Sequence, residues 1–256
     1  MSATPHVVAL APVRVQPARL FYTGAAALAI LVTLIGFHHF YFQGSSYPGR
    51  PITPPIRGLV ITHGLVMTAW IGLFFLQPLL VALGQRRLHR KLGRVGALVG
   101  LAVVVTGLWI AVASARVSPP GNLIWSLSPH EFMAVPFFAG LFFAAFLGIG
   151  LWQRRRLEIH RPMMMLSTYS VLSAPISRID ALSNLYVGTI WDSLFGPFLM
   201  TQILLAVLVL VRWMLIGRLD RWLSIGFVVL TVGYMLVMQG ARTDAWRWFA
   251  GVLTSM

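Results

Sequence analysis

The 256-residue chain contains no cysteine and few acidic residues, with 6 Asp and Glu against 20 Lys and Arg. Without cysteine it cannot form a disulfide, a Cys-ligated iron–sulfur cluster, a Cys-type zinc site or a covalent c-type haem. Charged residues make up only 10% of the chain, whereas a soluble domain has about 25%. The sequence therefore excludes an ordinary soluble globule, and any cofactor must be held by His, Met, carboxylates or cavity shape.

Apolar residues make up 58% of the chain, and they fall into seven runs bounded by charge, Pro or Gly. Each run is near the roughly 20 residues that a helix needs to cross a bilayer. We therefore predict an all-α integral membrane bundle of seven transmembrane helices, forming a single domain over residues 1–256 with a short cytoplasmic tail at 1–19. The predicted helices are Leu20–Phe42, Arg57–Gly84, Leu92–Ala115, Pro129–Trp152, Pro162–Leu182, Ile190–Ile216 and Leu223–Gln239.

Basic residues are distributed unevenly between the two ends of the predicted bundle. Fourteen fall on the side of the N-terminus: Arg14, Arg19, Arg86, Arg87, Arg90, Lys91, Arg94, Arg154, Arg155, Arg156, Arg161, Arg212, Arg218 and Arg221. Five fall on the other side: Arg50, Arg57, Arg116, Arg242 and Arg247. The positive-inside rule then predicts a cytoplasmic N-terminus and a periplasmic C-terminus in a bacterial inner membrane. The net charge of +14 is explained by orientation and by contact of the cytoplasmic loops with anionic lipid, so nucleic acid is not an expected partner.

A weak internal repeat links the second and fourth helices. Gln85 begins a basic loop that ends in His89-Arg90, and Gln153 begins one that ends in His160-Arg161; His63 and His130 lie 22 and 23 residues before those glutamines. The repeat predicts a pseudo-twofold four-helix bundle with histidine pairs at two depths, a layout suited to haem ligation. The alternative is that short cytoplasmic loops are generically basic.

The helix rise limits the haem hypothesis. From His63 to Gln85 the helix spans roughly 33 Å, about the whole hydrocarbon thickness, which is too far for two haems to exchange electrons in one fast step. A single outer site remains, built from His63 with His38, His39 or His130.

The individual histidines each have a structural alternative. His63 lies inside an apolar helix, where a polar residue is a candidate functional group, although a packing hydrogen bond would also explain it. His38 and His39 lie in an aromatic belt typical of interfacial anchoring. His130 follows a capping box formed by Ser128 and Glu131, and lipid headgroup contact would explain His89 and His160.

The fifth helix is the most polar, and we expect it to pack inside the bundle with a kink at Pro175. Arg178 follows that proline. Its candidate partners are Glu131, Asp192 or an anionic group such as a haem propionate, and snorkelling to the interface is the alternative. Gln202 lies deeper and is a candidate hydrogen-bond partner for Gln77.

Three motifs carry a resemblance that covers the second through fifth helices. They are His63-Gly64 with Thr68-Ala69-Trp70, His89-Arg90-Lys91-Leu92-Gly93-Arg94, and His160-Arg161-Pro162-Met163-Met164. In these motifs the chain resembles a widespread group of uncharacterised bacterial membrane proteins and is distantly similar to cytochrome b561-like families. The resemblance implies that His63, His89, His160 and Arg178 are family-typical positions, and it implies no activity.

Two functional hypotheses follow from the sequence. The first is a redox protein that binds b-type haem through His63, His89, His130, His160 and Arg178, or a metal through His63, His38 and His39. The second is a non-enzymatic transporter or membrane assembly protein whose second and fifth helices line a polar pocket. No nucleophile motif, catalytic carboxylate pair or P-loop is present, which disfavours a hydrolase or an ATP-driven pump. The sequence leaves enzymatic activity and a homo-oligomer open.

Overall fold

The computed structural model describes residues 17–47, 50–119 and 121–255. Most of the predicted N-terminal tail, with Arg14, lies outside these described residues. The helices are α1 (Pro17–Gly36), α2 (His38–Gln43), α3 (Arg57–Ala82), α4 (Arg86–Val117), α5 (Pro129–Phe132), α6 (Ala134–Trp152), α7 (Leu157–Tyr169), α8 (Ser173–Ile176), α9 (Asp180–Ser183), α10 (Ile190–Phe195), α11 (Leu199–Ile216), α12 (Arg221–Gly240) and α13 (Asp244–Ser255). Strands β1 (Ser45–Tyr47) and β2 (Arg50–Pro51) form a small antiparallel hairpin.

The all-α prediction is confirmed, and five helical stretches are long and apolar enough to cross a membrane. They are Arg57–Ala82, Arg86–Val117, Pro129–Trp152, Ile190–Ile216 and Arg221–Gly240. Among the described residues, Leu20–Gly36 is a shorter apolar helix, because the predicted first span is interrupted at Phe37 between α1 and α2. The chain therefore has the helices of a multi-pass membrane protein. By length and composition, however, fewer than the predicted seven of the described helices qualify as spans.

The predicted fifth helix, Pro162–Leu182, is broken, and this corrects the expectation of one helix kinked at Pro175. Helix α7 ends at Tyr169, a turn follows, and α8 contains Pro175. Ser167 and Ser170 donate hydrogen bonds to backbone carbonyls three residues back, which gives the backbone an alternative to helical pairing. The Tyr234 hydroxyl donates to the Ser170 carbonyl at 2.8 Å in the buried interior. A side chain of α12 therefore satisfies a backbone carbonyl at the break.

Helices α3 and α4 run antiparallel, and their contacts follow one continuous register. His63 contacts Thr106 near one end, Trp70 lies against Gly100 in the middle, and Gln77 reaches Gly93 at the other end. Helix α4 also packs on α6, which pairs with α7, while α1 lies against α3 and α7, and α12 covers α6, α7 and α11. The two predicted hairpins, α3–α4 and α6–α7, thus pack against each other.

The basic loops lie together at one end of the bundle, which we call the basic end. Arg212 at the end of α11 pairs with Asp220 at 3.3 Å and donates to the Ala18 carbonyl at 3.2 Å, joining the α11–α12 loop to the start of α1. Helices α3 and α6 both begin at the opposite end of the bundle. The α3–α4 and α6–α7 loops that follow them therefore lie at the basic end as well. We call that opposite end the pocket end.

Helix α13 is an element that the sequence does not predict, because its 12 residues are too few for a span. It lies at the pocket end, where the Trp246 Nε1–H donates to the His130 carbonyl at 2.9 Å. Arg247 lies 3.7 Å from Glu131, and the Arg116 Nε–H donates to the Thr254 carbonyl at 2.8 Å. These contacts hold α13 against α4 and α5.

Candidate functional site

A cavity of about 180 Å³ with both polar and apolar walls lies at the pocket end, where three separate parts of the chain meet. Its walls come from the end of α1 and the start of α2, from β1, and from the segment between α8 and α9. The lining residues are Ile35, Gly36, His38, His39, Ser46, Arg178, Ile179 and Asp180. The fold therefore brings together three residues that the sequence singles out separately, His38, His39 and Arg178.

Arg178 is half-buried and fixed from two sides. Its Nη1 donates to the Ala174 carbonyl at 2.6 Å, and its guanidinium lies 4.8 Å from the centroid of the Phe37 ring, a cation–π geometry. The predicted partners lie elsewhere: the Glu131 carboxylate closes the Ser128 capping box, and the Asp192 carboxylate accepts from the Gly188 amide. The chain leaves the helix at Ser177, and both Arg178 and Asp180 therefore face the cavity. Their spacing on a regular helix does not predict that they face the same way.

The first wall of the cavity depends on a close approach of two backbones. A Cβ atom at Gly36 would lie 2.1 Å from the Pro175 carbonyl oxygen, so only glycine lets α1 come this near to α8. This contact places the end of α1 directly beside the segment that carries Arg178.

The His38 and His39 rings lie side by side at the cavity, with centroids 3.7 Å apart and planes tilted by 43°. The His38 Nδ1–H donates to the Ile35 carbonyl at 2.7 Å, and the His39 Nδ1–H donates to Gln43 Oε1 at 2.6 Å. With the proton on Nδ1 in both neutral rings, each Nε2 keeps its lone pair. The predicted interfacial residues therefore also have the tautomer that can accept a hydrogen bond from a ligand.

His63 lies apart from this cavity, in the α3–α4 interface. Its Nδ1 is 2.9 Å from Thr106 Oγ1, and its Cε1 lies near Gly107. This is the packing hydrogen bond that the sequence offered as an alternative to ligation. His130 also lies apart from the cavity. Its Nε2 forms a hydrogen bond of 3.0 Å with Thr254 Oγ1 on α13.

His89 and His160 come together at the basic end, close enough to interact electrostatically. Gln77 donates to His89 Nδ1 and to the His89 carbonyl, the latter at 3.1 Å, and its Oε1 accepts from the Gly93 amide at 3.1 Å. The His160 Nδ1–H donates to the Gly150 carbonyl at 2.8 Å. These bonds assign the proton to Nε2 in neutral His89 and to Nδ1 in neutral His160.

Gln202 has a different partner from the one that the sequence suggested. Its Oε1 accepts from Thr231 Oγ1 at 2.8 Å, joining α11 to α12, while Gln77 is occupied at the basic end. Gln202 is therefore a buried packing residue outside the cavity.

Metal-binding geometry is absent from the described ranges, where no group of three or more His, Asp or Glu residues could hold an ion. The haem and metal assignments to His63, His38, His39, His89, His130, His160 and Arg178 stay predictions.

The segment beyond Asp180 is held at the pocket end by Tyr186. Its hydroxyl donates to the Gly196 carbonyl at 2.9 Å, and its ring stacks on Trp125. Burial raises the pKa of the Tyr186 phenol above its ordinary value of 10.0, and the Asp192 carboxylate adds to the effect. The hydroxyl therefore stays a donor at all pH values below about 10.

Comparisons with family models, curated proteins and solved structures give no significant match. The resemblance carried by the three histidine motifs thus stays a prediction, and the candidate function has to be argued from the cavity itself.

Proposed function

We propose that this chain is a multi-pass inner-membrane protein that binds a small anionic ligand in the cavity at the pocket end. The observation that carries the proposal is the convergence of the Arg178 guanidinium with the imidazoles of His38 and His39 around one cavity. The proposal keeps the pocket of the second hypothesis from the sequence, that of a non-enzymatic membrane protein, but changes its walls. They come from the ends of the predicted first and fifth helices and from β1, and no described lining residue belongs to the predicted second helix. The proposal restricts the pocket to one cavity and the ligand to an anion.

The Arg178 guanidinium is the group of the lining that favours an anion. Among the described lining residues it is the one permanent positive charge and Asp180 is the one carboxylate. The two imidazole rings, in the tautomer described above, offer Nε2 lone pairs that accept a hydrogen bond from a protonated ligand oxygen. A guanidinium recognises carboxylate and phosphate oxygens through several fixed donors. Arg178 supplies the fixed positive charge, because Phe37 and the Ala174 carbonyl hold its side chain in place.

The size of the cavity limits the ligand to a few heavy atoms. Its volume of about 180 Å³ is below the roughly 300–1,000 Å³ of pockets that bury drug-sized molecules. A carboxylate or a phosphate group fits this space. The ligand is therefore a small organic acid or a phosphate-bearing headgroup that enters from the pocket end.

The orientation of the bundle places this cavity outside the cell in our proposal. The basic loops between α3 and α4, α6 and α7, and α11 and α12 share the basic end, so the positive-inside rule makes that end cytoplasmic. The pocket end, with the cavity and α13, then faces the periplasm.

The proposal is tested by thermal unfolding of the full-length protein in detergent micelles. Inorganic phosphate, acetate and succinate are titrated against chloride at matched ionic strength. A ligand that binds only the folded state raises the Tm in a saturable way. We expect at least one of these anions to do so, and the absence of any saturable rise contradicts the proposal.

A second candidate function is b-type haem binding, favoured by the proximity of His89 and His160 on neighbouring hairpins. The fit is weaker, because neither ring lines the cavity described above, and the Gln77 hydrogen bond puts the proton on His89 Nε2. The visible spectrum after haem-replete expression decides it. A Soret band that is lost in His160→Ala supports haem, and no Soret band rules it out.

A further inference from the structure

Helix α13 has a row of apolar side chains that the rest of the bundle leaves exposed. Four residues at spacings of three and four lie on one side of the helix, and we call them the apolar flank: Ala245, Trp248, Phe249 and Val252. Trp248 is 71% exposed and Phe249 is 37% exposed. We propose that the apolar flank binds the interfacial layer of the lipid leaflet at the pocket end. This proposal does not depend on the anion cavity.

Both ends of α13 contact the bundle at the same level. Near the start of the helix Arg247 lies 3.7 Å from the Glu131 carboxylate, and in its last turn Thr254 Oγ1 lies 3.0 Å from His130 Nε2. Arg247 and Thr254 are about 10 Å apart along the helix, whereas His130 and Glu131 are neighbours in the chain. Helix α13 therefore runs across the end of α5 and does not continue the direction of α12.

The side of α13 that bears the apolar flank contacts α6 at a deeper level. The Phe249 ring centroid lies 6.1 Å from that of Phe137, and the ring centroid of the adjacent Trp246 lies 5.4 Å from that of Phe138. Phe137 follows Glu131 in the same helical stretch and lies about 9 Å further from the pocket end. The apolar flank therefore faces the interior of the membrane.

A second flank of α13 is polar and faces the other way, out of the end of the bundle. We call it the polar flank, and its residues are Asp244, Arg247, Gly251 and Ser255. The Asp244 side chain is 98% exposed. On this side the Arg116 Nε–H, in the last turn of α4, donates to the Thr254 carbonyl at 2.8 Å. Water and lipid headgroups can therefore solvate the polar flank while the apolar flank points into the leaflet.

The position and composition of α13 identify the partner as lipid. Helices α4 and α6, on which α13 lies, belong to stretches that can span a membrane. About 10 Å deeper than Arg116, Trp109 is 63% exposed on α4, so lipid surrounds the bundle just below α13. Helices with Trp and Phe on one flank and polar residues on the other lie in the membrane interface. Asp244 and Arg247 pair at 2.7 Å and leave α13 without net charge, so apolar insertion accounts for binding.

The test places a spin label on each flank of the full-length protein, where an introduced cysteine is the only thiol. Ala245→Cys lies on the apolar flank. Gly251→Cys is the matched control on the polar flank, where an added Cβ meets no neighbouring atom within 4 Å. In phosphatidylcholine nanodiscs, power saturation measures collisions of each label with oxygen, which concentrates in lipid, and with a water-soluble nickel chelate. We expect the ratio of oxygen to chelate collisions to be higher at residue 245 than at residue 251.

The outcomes separate lipid from water and from protein as the surroundings of the apolar flank. Because α13 has no net charge, we expect the same order of ratios when phosphatidylglycerol replaces part of the phosphatidylcholine. Equal ratios at the two positions, or a lower ratio at residue 245, place the apolar flank in water and overturn the proposal. Slow collisions with both reagents at residue 245 also overturn it, because protein, such as a second copy of the chain, then covers the flank. A higher ratio at residue 245 that requires phosphatidylglycerol overturns apolar insertion as the cause.

Discussion

The Nε1–H of Trp70 donates a hydrogen bond to Thr168 Oγ1 at 3.1 Å, joining α3 to α7 across 98 residues of sequence. Trp70 is 2% exposed, and its ring also packs edge-on against Phe143 of α6. Gly100 of α4 lies against the same ring. One tryptophan therefore contacts the other three helices of the two hairpins: α4 at Gly100, α6 at Phe143 and α7 at Thr168, which also satisfies its single polar atom.

Removing the Thr168 hydroxyl leaves the Trp70 Nε1–H without a partner in the core. We expect Thr168→Val to lower the free energy of unfolding by about 1 to 2 kcal/mol, because a buried donor is left unsatisfied. Thr168→Ser keeps the hydroxyl and should cost less than about 1 kcal/mol for the lost methyl group. Unfolding in mixed micelles with increasing sodium dodecyl sulfate measures both, and equal losses would show that the hydroxyl contributes nothing.

Gly36 is expected to be intolerant of any side chain. A methyl group there meets the Pro175 backbone, which cannot rotate away, so Gly36→Ala should cost about 1 to 3 kcal/mol of stability. Gly24→Ala is the matched control on α1, since its Cβ has no neighbour within 4 Å, and it should be neutral or stabilising. The same unfolding assay compares them, and a tolerated Gly36→Ala would contradict the close approach of α1 and α8.

The absence of cysteine makes the orientation directly testable, because any introduced cysteine is the only thiol in the protein. Leu123→Cys lies in the exposed loop at the pocket end, and Arg155→Cys lies in the exposed α6–α7 loop at the basic end. In intact cells with a permeabilised outer membrane, a membrane-impermeant maleimide should label Leu123→Cys and spare Arg155→Cys. The reverse pattern would place the cavity in the cytoplasm.

Tyr186 predicts an alkaline limit to the stability of the pocket end. Because burial raises its pKa in the folded state, the unfolded chain loses the proton first, at a pH of about 10. Its contribution is therefore complete below that pH and falls as the pH rises further. The difference in unfolding free energy between wild type and Tyr186→Phe should be constant from pH 7 to 9 and shrink above pH 10. A difference that grows with pH would contradict this sign.

The sequence predicts the regular parts of the fold well, because long apolar runs and caps are local signals. Helix α3 lies within two residues of its predicted range, and the capping box of Ser128 and Glu131 is present. Helix α4 begins at Arg86, six residues before the predicted Leu92, so most of the predicted basic loop is helical. The broken segment after Tyr169 is not predicted. Its break depends on the Tyr234 hydroxyl from α12, a partner 64 residues away.

The sequence predicts which residues belong to the candidate site, but it does not predict which of them lie together. The sequence identifies His38, His39 and Arg178 as unusual polar residues near one membrane face, but it assigns the histidines to a site with His63. The structure places His63 against Thr106, and it brings Arg178 to His38 through the contact of Gly36 with Pro175. That contact depends on a non-helical backbone, for which hydrophobic periodicity carries no signal.

The central claim is that Arg178 supplies the charge that binds an anion in the cavity. Isothermal titration of the full-length protein with the anion that most raises the Tm tests this directly, in wild type, Arg178→Gln and Arg57→Gln. We predict that Arg178→Gln weakens binding about tenfold or more, since a charge-assisted hydrogen bond is lost, while Arg57→Gln binds as the wild type does. Equal affinities in the wild type and Arg178→Gln would contradict the account.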